Sequence, residues 1–272
     1  MKKLATILLA LVTTVAYAQK ETLVVGAVEG NSGVDSKYVT MLKSAVISGL
    51  NKVGRLNVVD GANIDNLSKQ PSEAIAQLSK IEGVTSLITV KLENFTITTE
   101  STSDGKTKYS ARMDYSYTIT SVADGSIIST DKKTRYGSSL SNKDEAYSSS
   151  ISLVESDMKG LVNKAFRLSG QIKALNETHP KKGARTVYVD LGSDDGITTG
   201  VIFEVFKKVE IAGEIISEKI AEIKVKEIKS GKLCLCTVSK GGTEIQDAYE
   251  NEIPLIVVSR PTTSLLDVID AL

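Results

Sequence analysis

The sequence has very little of the side-chain chemistry on which most enzymes depend. Its 272 residues include one histidine, His179, two cysteines and no tryptophan. It contains no G-x-S-x-G, P-loop, dinucleotide-binding or H-E-x-x-H motif. A serine or cysteine hydrolase of this composition would have to use His179 or a lysine as its base. The sequence therefore predicts a protein that is not an enzyme, with no catalytic, cofactor-binding or metal-ligating residue.

No charge of one sign predominates, because 33 basic residues balance 33 acidic residues. Proteins that bind nucleic acid contact its phosphates through a basic face. The densest basic cluster here, Lys181, Lys182 and Arg185, lies in a predicted solvated linker. After the amino-terminal segment, no run approaches the roughly 18 to 20 apolar residues that a helix needs to cross a bilayer. The sequence thus predicts neither a nucleic-acid partner nor a transmembrane helix.

The amino-terminal segment has the order of charge and apolarity of an export signal. Lys2 and Lys3 precede an apolar stretch over residues 4–15, and the small-residue pattern Ala-Tyr-Ala follows it. A signal peptide is therefore predicted at residues 1–18. A lipoprotein signal needs a cysteine directly after the cleavage site, where this chain has Gln19. We expect an exported protein of the periplasm or the outer-membrane periphery that is not a lipoprotein.

The two cysteines, Cys234 and Cys236, occur together in the strand-like segment KLCLCTV. Residues two apart on a strand point to the same side, so both thiols are predicted to face a core. A strained disulfide and a metal site are the alternatives. Two thiolates without a nearby histidine or cysteine cannot complete a tetrahedral zinc shell. The sequence leaves the oxidation state of this pair open.

Two glycine-bearing loops could in principle hold an ion. In the first, Asp194 and Asp195 precede Gly196, and this order is typical of a turn because aspartate tolerates turn geometry and glycine adopts positive φ. Weak calcium binding and catalysis are the alternatives, but the spacing of an EF-hand is absent. The second loop, VEGNSG at residues 28–33, lies between a strand and a helix pattern, and it lacks the lysine of a phosphate-binding P-loop. It is predicted to be a plain connection.

The first part of the chain alternates strand and helix patterns. Short apolar runs at residues 23–28 and 55–60 are typical of buried strands. Between them lies a predicted amphipathic helix with start and stop signals at Asp35 or Ser36 and at Gly54. The residues on its apolar face are Val39, Leu42, Val46, Gly49 and Val53.

A second helix and a three-stranded meander are predicted next. The helix is predicted to begin at Pro71 and to stop at Gly83, with Ile75, Leu78 and Ile81 facing inward. From Thr85 the apolar period changes to two, and turns at residues 103–105 and 123–125 separate three strands. One face of the middle strand holds Tyr109, Ala111, Met113, Tyr115, Tyr117 and Ile119. Because the neighbouring strands are charged, a sheet with helices over one face is favoured over transmembrane barrel strands.

A long helix over residues 143–175 and a small barrel complete the prediction. The apolar residues of the helix recur at heptad spacing through residues 154–175, and this pattern favours either docking on the meander or self-association. These residues are Val154, Met158, Leu161, Ala165, Leu168, Ile172 and Leu175. Five short strands with no helix between them then indicate a barrel. The predicted α+β organisation is a mixed domain at residues 19–176, a linker at 177–183, a barrel domain at 184–260 and an apolar tail at 261–272.

Two resemblances cover nearly all of the chain after the signal peptide. An L-G-x-x-D-G-[VI]-x-x-G-x-x-F-x-V pattern resembles the carboxy-terminal module of flagellar assembly protein T, which implies an SH3-like barrel. The residues that match are Leu191, Gly192, Asp195, Gly196, Ile197, Gly200, Phe203 and Val205. The first domain resembles the amino-terminal domains of the curli secretion protein CsgG and of TolB, and also LpoB, in its layout. This likeness depends on residues 24–30 with the helix that follows them, residues 55–60 and the turn at 124–125.

The resemblances imply a non-catalytic assembly or protein-binding factor of the cell envelope, whose partners are other envelope proteins. The alternatives are a ring-forming secretion component and an activator of an enzyme that builds peptidoglycan. CsgG and LpoB are lipoproteins, and Gln19 in place of cysteine departs from that pattern. The pore-forming members of this group also need two long lipid-facing hairpins, which the charged strands here do not provide.

Overall fold

The computed structural model describes residues 20–211 and 214–261, which contain a five-stranded sheet with helices and a closed six-stranded barrel. This architecture confirms the predicted α+β class with a small β-barrel. The predicted signal peptide, residues 1–18, lies outside the described residues, as does the predicted tail from residue 262 onward. Within the described ranges, no helix is long and apolar enough to span a lipid bilayer.

The sheet has the strand order β2-β1-β3-β4-β5. Strand β1 pairs in parallel with β2 and β3, and β3, β4 and β5 form an antiparallel meander. The predicted turns are present, with Gly105 and Gly125 at φ angles of 75° and 72°. The five strands are β1 (Thr22–Gly30), β2 (Asn57–Asp60), β3 (Val84–Ser101), β4 (Thr107–Ser121) and β5 (Ile127–Ser139).

Two helices, α1 (Ser36–Val53) and α3 (Lys143–Ala165), cover one face of the sheet. Helix α1 begins where the Asp35 side chain accepts a hydrogen bond from the backbone N–H of Lys37 at 2.9 Å. It ends at Gly54, which has a left-handed φ of 71°. Both predicted end signals are therefore confirmed. The core between helices and sheet includes Leu42, Val46, Leu50, Tyr115, Ile119, Tyr147, Val154 and Met158.

The third helix of this unit, α2 (Pro71–Leu78), lies on the other face of the sheet. Its buried residues Ala74 and Leu78 pack in a small cluster with Val24, Leu87 and Val122. The prediction that Ile81 faces inward is wrong, because the helix ends at Leu78 and the Ile81 side chain is exposed.

The barrel has the strand order β10-β7-β6-β11-β8-β9, and β9 pairs with β10 to close it. Its strands are β6 (Ser169–His179), β7 (Gly183–Val189), β8 (Ile202–Ile211), β9 (Glu214–Ser230), β10 (Leu233–Lys240) and β11 (Leu255–Ser259). The prediction of five strands with no helix between them is wrong, because β6 is a sixth strand and α4 (Gly242–Glu250) lies between β10 and β11. Helix α4 packs Ile245 and Ala248 against the barrel core.

The predicted long helix at residues 143–175 is wrong after Ala165. Helix α3 ends at Ala165, and β6 begins at Ser169. The segment becomes a strand because it pairs with β7 and β11, and this pairing outweighs its local helical spacing. The helix predicted for self-association, residues 154–175, is therefore not one helix. Its first apolar residues pack against α1 of the same chain.

The segment predicted as a linker, residues 177–183, is part of a β-hairpin. It contains the end of β6, a turn at residues 180–182 and the start of β7. Gly183 starts β7 with a φ of 66°, and a Cβ there would lie 2.2 Å from the carbonyl oxygen of Gly242. The residues that break the sequence period are thus turn residues of the barrel. We propose that the two domains meet at residues 166–168 and that the barrel domain begins at Ser169.

A close approach between α3 and β5 allows a first prediction. A Cβ at Gly137 would lie 2.2 Å from the carbonyl oxygen of Ala146 and 2.4 Å from the backbone N of Ser150. We expect Gly137→Ala to lower the free energy of unfolding by about 1–3 kcal/mol, because α3 must move away from the strand. Urea denaturation followed by circular dichroism measures the change.

The matched control for this prediction is Gly160→Ala, which lies within α3. A Cβ at Gly160 would meet no atom within 4 Å. We expect this change to raise stability by about 0.5–1 kcal/mol, because alanine is the better helix former. Equal effects of the two substitutions would contradict the close packing of α3 on β5.

Candidate functional site

The acidic pair singled out in the sequence lies in a short 3-10 turn, Ser193–Asp195, between β7 and β8. One carboxylate oxygen of Asp195 accepts a hydrogen bond from the Gly192 N–H at 2.9 Å, and the other pairs with Lys232 Nζ at 2.6 Å. The backbone N–H of Asp194 donates to the Gly231 carbonyl at 3.0 Å. Both oxygens of Asp195 are therefore engaged within the protein, in the predicted turn.

The other residues singled out in the sequence also have structural partners. His179 is exposed at the end of β6, and its Nδ1 accepts a hydrogen bond from the Lys181 N–H at 3.1 Å. Cys234 and Cys236 are free thiols buried in the barrel core, with their sulfur atoms 3.7 Å apart. The hydrogen bond with Cys234 and burial both raise the pKa of Cys236, which disfavours its thiolate. In the described part of the chain, no three His, Cys, Asp or Glu residues form a group that could hold a metal ion.

A cleft of about 420 Å³ lies between the helices of the sheet domain and the barrel. We call it the inter-domain cleft. Its walls come from α1, α3, the turn after Asp195 and the end of β11. Residues that line it include Val53, Arg55, Lys159, Leu168, Val201 and Arg260. The cleft thus combines aliphatic walls with cationic side chains.

Arg55 lies in the wall of the inter-domain cleft and connects α3 to the domain junction. Its guanidinium donates from Nη1 to the side-chain oxygen of Asn163 at 2.8 Å and from Nη2 to the carbonyl of Phe166. Its Nε is buried without a hydrogen-bond partner. Burial lowers the pKa of Arg55, and the charge of Glu21 opposes this effect. Arg55 therefore contributes a positive charge to the cleft wall, while its Nε is a buried donor without a partner among the described residues.

Glu155, the acidic residue that lines the cleft, already has hydrogen-bond partners within the protein. It accepts hydrogen bonds from Lys52 and from the Ser48 hydroxyl, the latter at 2.8 Å. These two bonds, with that from Lys52 the stronger influence, hold the pKa of Glu155 below its usual range. Because Glu155 is the acidic residue of the cleft wall and is engaged in this way, the other cationic side chains of the cleft have no carboxylate partner within that wall.

Hydrogen bonds and an ion pair connect the segment between the two domains to the barrel, including β11, the last described strand. Arg167 donates from Nε to the carbonyl of Ser259 at 2.7 Å, and its Nη2 pairs with Glu204 at 3.0 Å. The Leu168 N–H donates to the Ser259 hydroxyl at 2.8 Å. Hydrogen bonds from Lys219 and Arg167 lower the pKa of Glu204, although burial opposes them. Strand β11 is thus bonded directly to the domain junction.

A second surface stands out at the edge of the sheet. Strand β5 pairs with β4 along its inner side, and among the described residues no strand pairs with its outer side. Apolar side chains are exposed along it, namely Ile127 (65%), Tyr136 (63%), Leu140 (57%) and Ile128 (40%). We call this strand, together with Leu140, the β5 edge. An open strand edge of this kind can pair with another chain.

Comparison with known proteins shows only distant similarity. No family model matches this chain, and no curated protein matches it. Among solved structures, the PelC dodecamer from Paraburkholderia phytofirmans is 17% identical, with a TM-score of 0.36 over 52% of this chain and 87% of that chain. The hypothetical protein CT253 from Chlamydia trachomatis is 9% identical, with a TM-score of 0.38 over 54% and 99% of the two chains.

The carboxy-terminal domain of LpoB from Salmonella enterica is also similar. It is 14% identical, with a TM-score of 0.30 over 42% of this chain and 82% of that domain. All three TM-scores lie below 0.5, so these similarities carry no argument about function. The resemblances to CsgG, TolB and LpoB, and that to flagellar assembly protein T, stay predictions.

Proposed function

We propose that this chain is an exported, non-catalytic factor of the cell envelope that binds another protein along the β5 edge. The observation that supports it most directly is the long open edge of β5 with its exposed apolar side chains. The proposed location is the periplasm or the outer-membrane periphery, as the amino-terminal export signal predicts.

The charges on β5 do not protect its edge in the way that natural sheet edges are usually protected. Proteins commonly block open edges with lysines, prolines or covering segments. In this strand Lys132 pairs with Glu93 on β3, and Lys133 pairs with Asp131 at 3.2 Å, so both ammonium groups are bonded to the same sheet. The strand contains no proline. As far as the described strands show, the outer side of β5 is thus left open to an incoming strand.

An extended segment of a partner is the occupant that fits this edge best. It would form main-chain hydrogen bonds with β5, and its side chains would cover Ile127, Tyr136 and Leu140. Burying apolar surface of this kind contributes about 25 cal/mol per Å². The main-chain bonds would provide affinity, and the exposed side chains would provide selectivity.

The geometry of the polar residues also favours binding over catalysis. His179 belongs to a hairpin turn, both oxygens of Asp195 are paired, and the two thiols lie in the barrel core. These groups lie in separate parts of the barrel domain and do not form a nucleophile with an adjacent base.

Site-specific photocrosslinking in the cells that make the protein tests this proposal. A photoreactive residue at Tyr136 is expected to give one predominant adduct with another envelope protein. The same residue at Tyr249, which is exposed on α4, serves as the control and is expected not to give this adduct. Combining the Tyr136 probe with Ile127→Lys and Leu140→Lys should remove the adduct, because the lysines oppose docking of an apolar strand.

Two outcomes would overturn the proposal. One is an adduct that forms equally from Tyr249, and the other is an adduct that survives both lysine substitutions. An adduct of two copies of this chain would replace the separate partner with self-association through the β5 edge. Circular dichroism of the purified variants confirms that loss of the adduct does not come from unfolding.

A further inference from the structure

The inter-domain cleft lies where the described chain leaves the barrel. Ser259 and Arg260 line the cleft, and the Arg260 N–H donates to the carbonyl of Ile202 at 2.8 Å. The chain therefore leaves β11 at the rim of the cleft. Residues 262–272 follow directly after Pro261.

The cleft has an excess of positive charge. Its basic residues are Lys52, Arg55, Lys159 and Arg260, whereas its acidic residue is Glu155, which pairs with Lys52. Arg260 has a long contact of 3.4 Å with Glu222. In residues 20–211 and 214–261, neither Arg55 nor Lys159 forms an ion pair with a carboxylate, although the charge of Glu21 acts on Arg55 from outside the cleft. The charge of the cleft therefore favours an acidic occupant.

Part of the cleft wall is apolar, which favours an occupant that also has apolar side chains. Val53, Leu168 and Val201 contribute aliphatic surface to its walls. Its volume of about 420 Å³ lies in the range of pockets that enclose small ligands, roughly 300–1,000 Å³. A suitable occupant would place aliphatic side chains against these walls and carboxylates near Arg55 and Lys159.

Residues 262–272, with the sequence TTSLLDVIDAL, have this composition. They contain Asp267 and Asp270 and no basic residue. Their large aliphatic residues recur at helical spacing and are Leu265, Leu266, Val268, Ile269 and Leu272. Eleven residues reach at most about 40 Å from Pro261, and a short tether of this kind gives an effective concentration on the order of 1 mM. Weak docking within the chain is thus sufficient for high occupancy.

We propose that the inter-domain cleft binds residues 262–272 of the same chain. Their aliphatic side chains pack against Val53, Leu168 and Val201, and their carboxylates approach Arg55 and Lys159. Bound in this way, the segment contacts both domains at their junction.

The absence of tryptophan from the chain makes a direct test simple. In the full chain, Leu266→Trp provides a single fluorescent reporter. We expect its emission to be shifted to the blue and to be quenched several-fold less by acrylamide than the emission of a free peptide of residues 262–272 with the same substitution. Adding Lys159→Glu should restore much of the quenching, because it places a negative charge beside the acidic segment.

Lys164→Glu is the matched control, since Lys164 is exposed on the same helix and does not line the cleft. It should leave the quenching unchanged. In a second measurement, the tryptophan-labelled peptide is added to a chain that ends at Pro261. We expect saturable binding that Lys159→Glu weakens by about tenfold, as expected when an attraction is replaced by a repulsion. Lys164→Glu should not weaken it.

Three results would overturn the proposal. The first is free access of acrylamide to the reporter in the full chain, and the second is an equal response to Lys159→Glu and Lys164→Glu. The third is protection that disappears on dilution, which would mean that the segment docks in a second copy. None of these measurements depends on the β5 edge, so their failure is independent of the proposed function.

Discussion

Replacing Asp157 with alanine is expected to lower the free energy of unfolding by about 3–5 kcal/mol, because it removes the buried carboxylate that accepts two hydrogen bonds from the buried Arg135. Arg135 on β5 donates to the two oxygens of Asp157 on α3 at 2.9 and 2.6 Å. The exposed fractions of these two side chains are 3% and 2%. Tyr115 donates a further hydrogen bond to Asp157 at 2.5 Å. Burial and the charge of Asp157 raise the pKa of this tyrosine, which keeps it a donor.

Urea denaturation of three variants measures the effect of Asp157. The control Asp144→Ala removes an exposed carboxylate from the same helix, where it pairs with Lys37, and is expected to leave stability almost unchanged. The double change Arg135→Met with Asp157→Leu is expected to recover most of the loss, because both buried charges are removed together. A loss after Asp157→Ala no larger than that after Asp144→Ala would show that the buried pair does not form.

The second large effect is expected in the barrel, where Phe203→Ala should cost about 3–5 kcal/mol. Phe203 on β8 is fully buried and packs in the core with Val205 and Ile223. Removing the ring leaves a cavity that a closed barrel cannot easily collapse to fill. Because Phe203 belongs to the L-G-x-x-D-G pattern, the experiment tests whether the conspicuous residues of that pattern serve the fold.

Phe206→Ala is the matched control for this prediction. Phe206 lies on the same strand and is only partly buried, so its replacement should cost clearly less. Guanidinium denaturation of the full chain, followed by far-ultraviolet circular dichroism, measures both variants. Equal losses, or a larger loss for Phe206→Ala, would contradict the placement of Phe203 at the barrel centre.

The local elements with clear end signals were predictable from sequence. Helix α1 has its apolar face at regular spacing between Asp35 and Gly54, and both ends are stabilised by contacts within a few residues. The meander was predictable for the same reason, because its strands alternate and its turns contain glycines at positive φ. In these elements the stabilising contacts are close in sequence, so the pattern and the structure agree.

The end of α3 was not predictable, because distant partners determine it. Ile172 and Leu175 continue the helical spacing of the preceding residues, yet Ile172 faces the barrel core on β6. The partners that make this segment a strand, β7 and β11, come later in the chain, with β11 near residue 257. No glycine or proline marks the change at residues 166–168. The local spacing of apolar residues therefore predicted a helix in this segment, whereas pairing with distant strands makes it a strand.

The candidate sites depend on strand order and on contacts between domains, neither of which the sequence encodes locally. The segment Ile127–Ser139 has the alternation of any meander strand, and only the sheet order places it at an edge. Arg55 lies more than one hundred positions from Asn163, its partner in the cleft wall. Ile127 and Tyr136 were visible in the sequence as large apolar residues next to polar ones. Their exposure could not be inferred before the neighbours of the strand were known.

The closure of the barrel has a consequence for the order of folding. Strand β6 begins the barrel and pairs with β11, its last strand, through contacts such as Gly170 with Val257. A nascent chain therefore cannot complete the barrel until β11 has been synthesised, whereas all strands of the sheet domain are available much earlier. The sheet domain can therefore acquire its fold while the last barrel strands are still being synthesised, and the barrel becomes complete only after β11 has emerged.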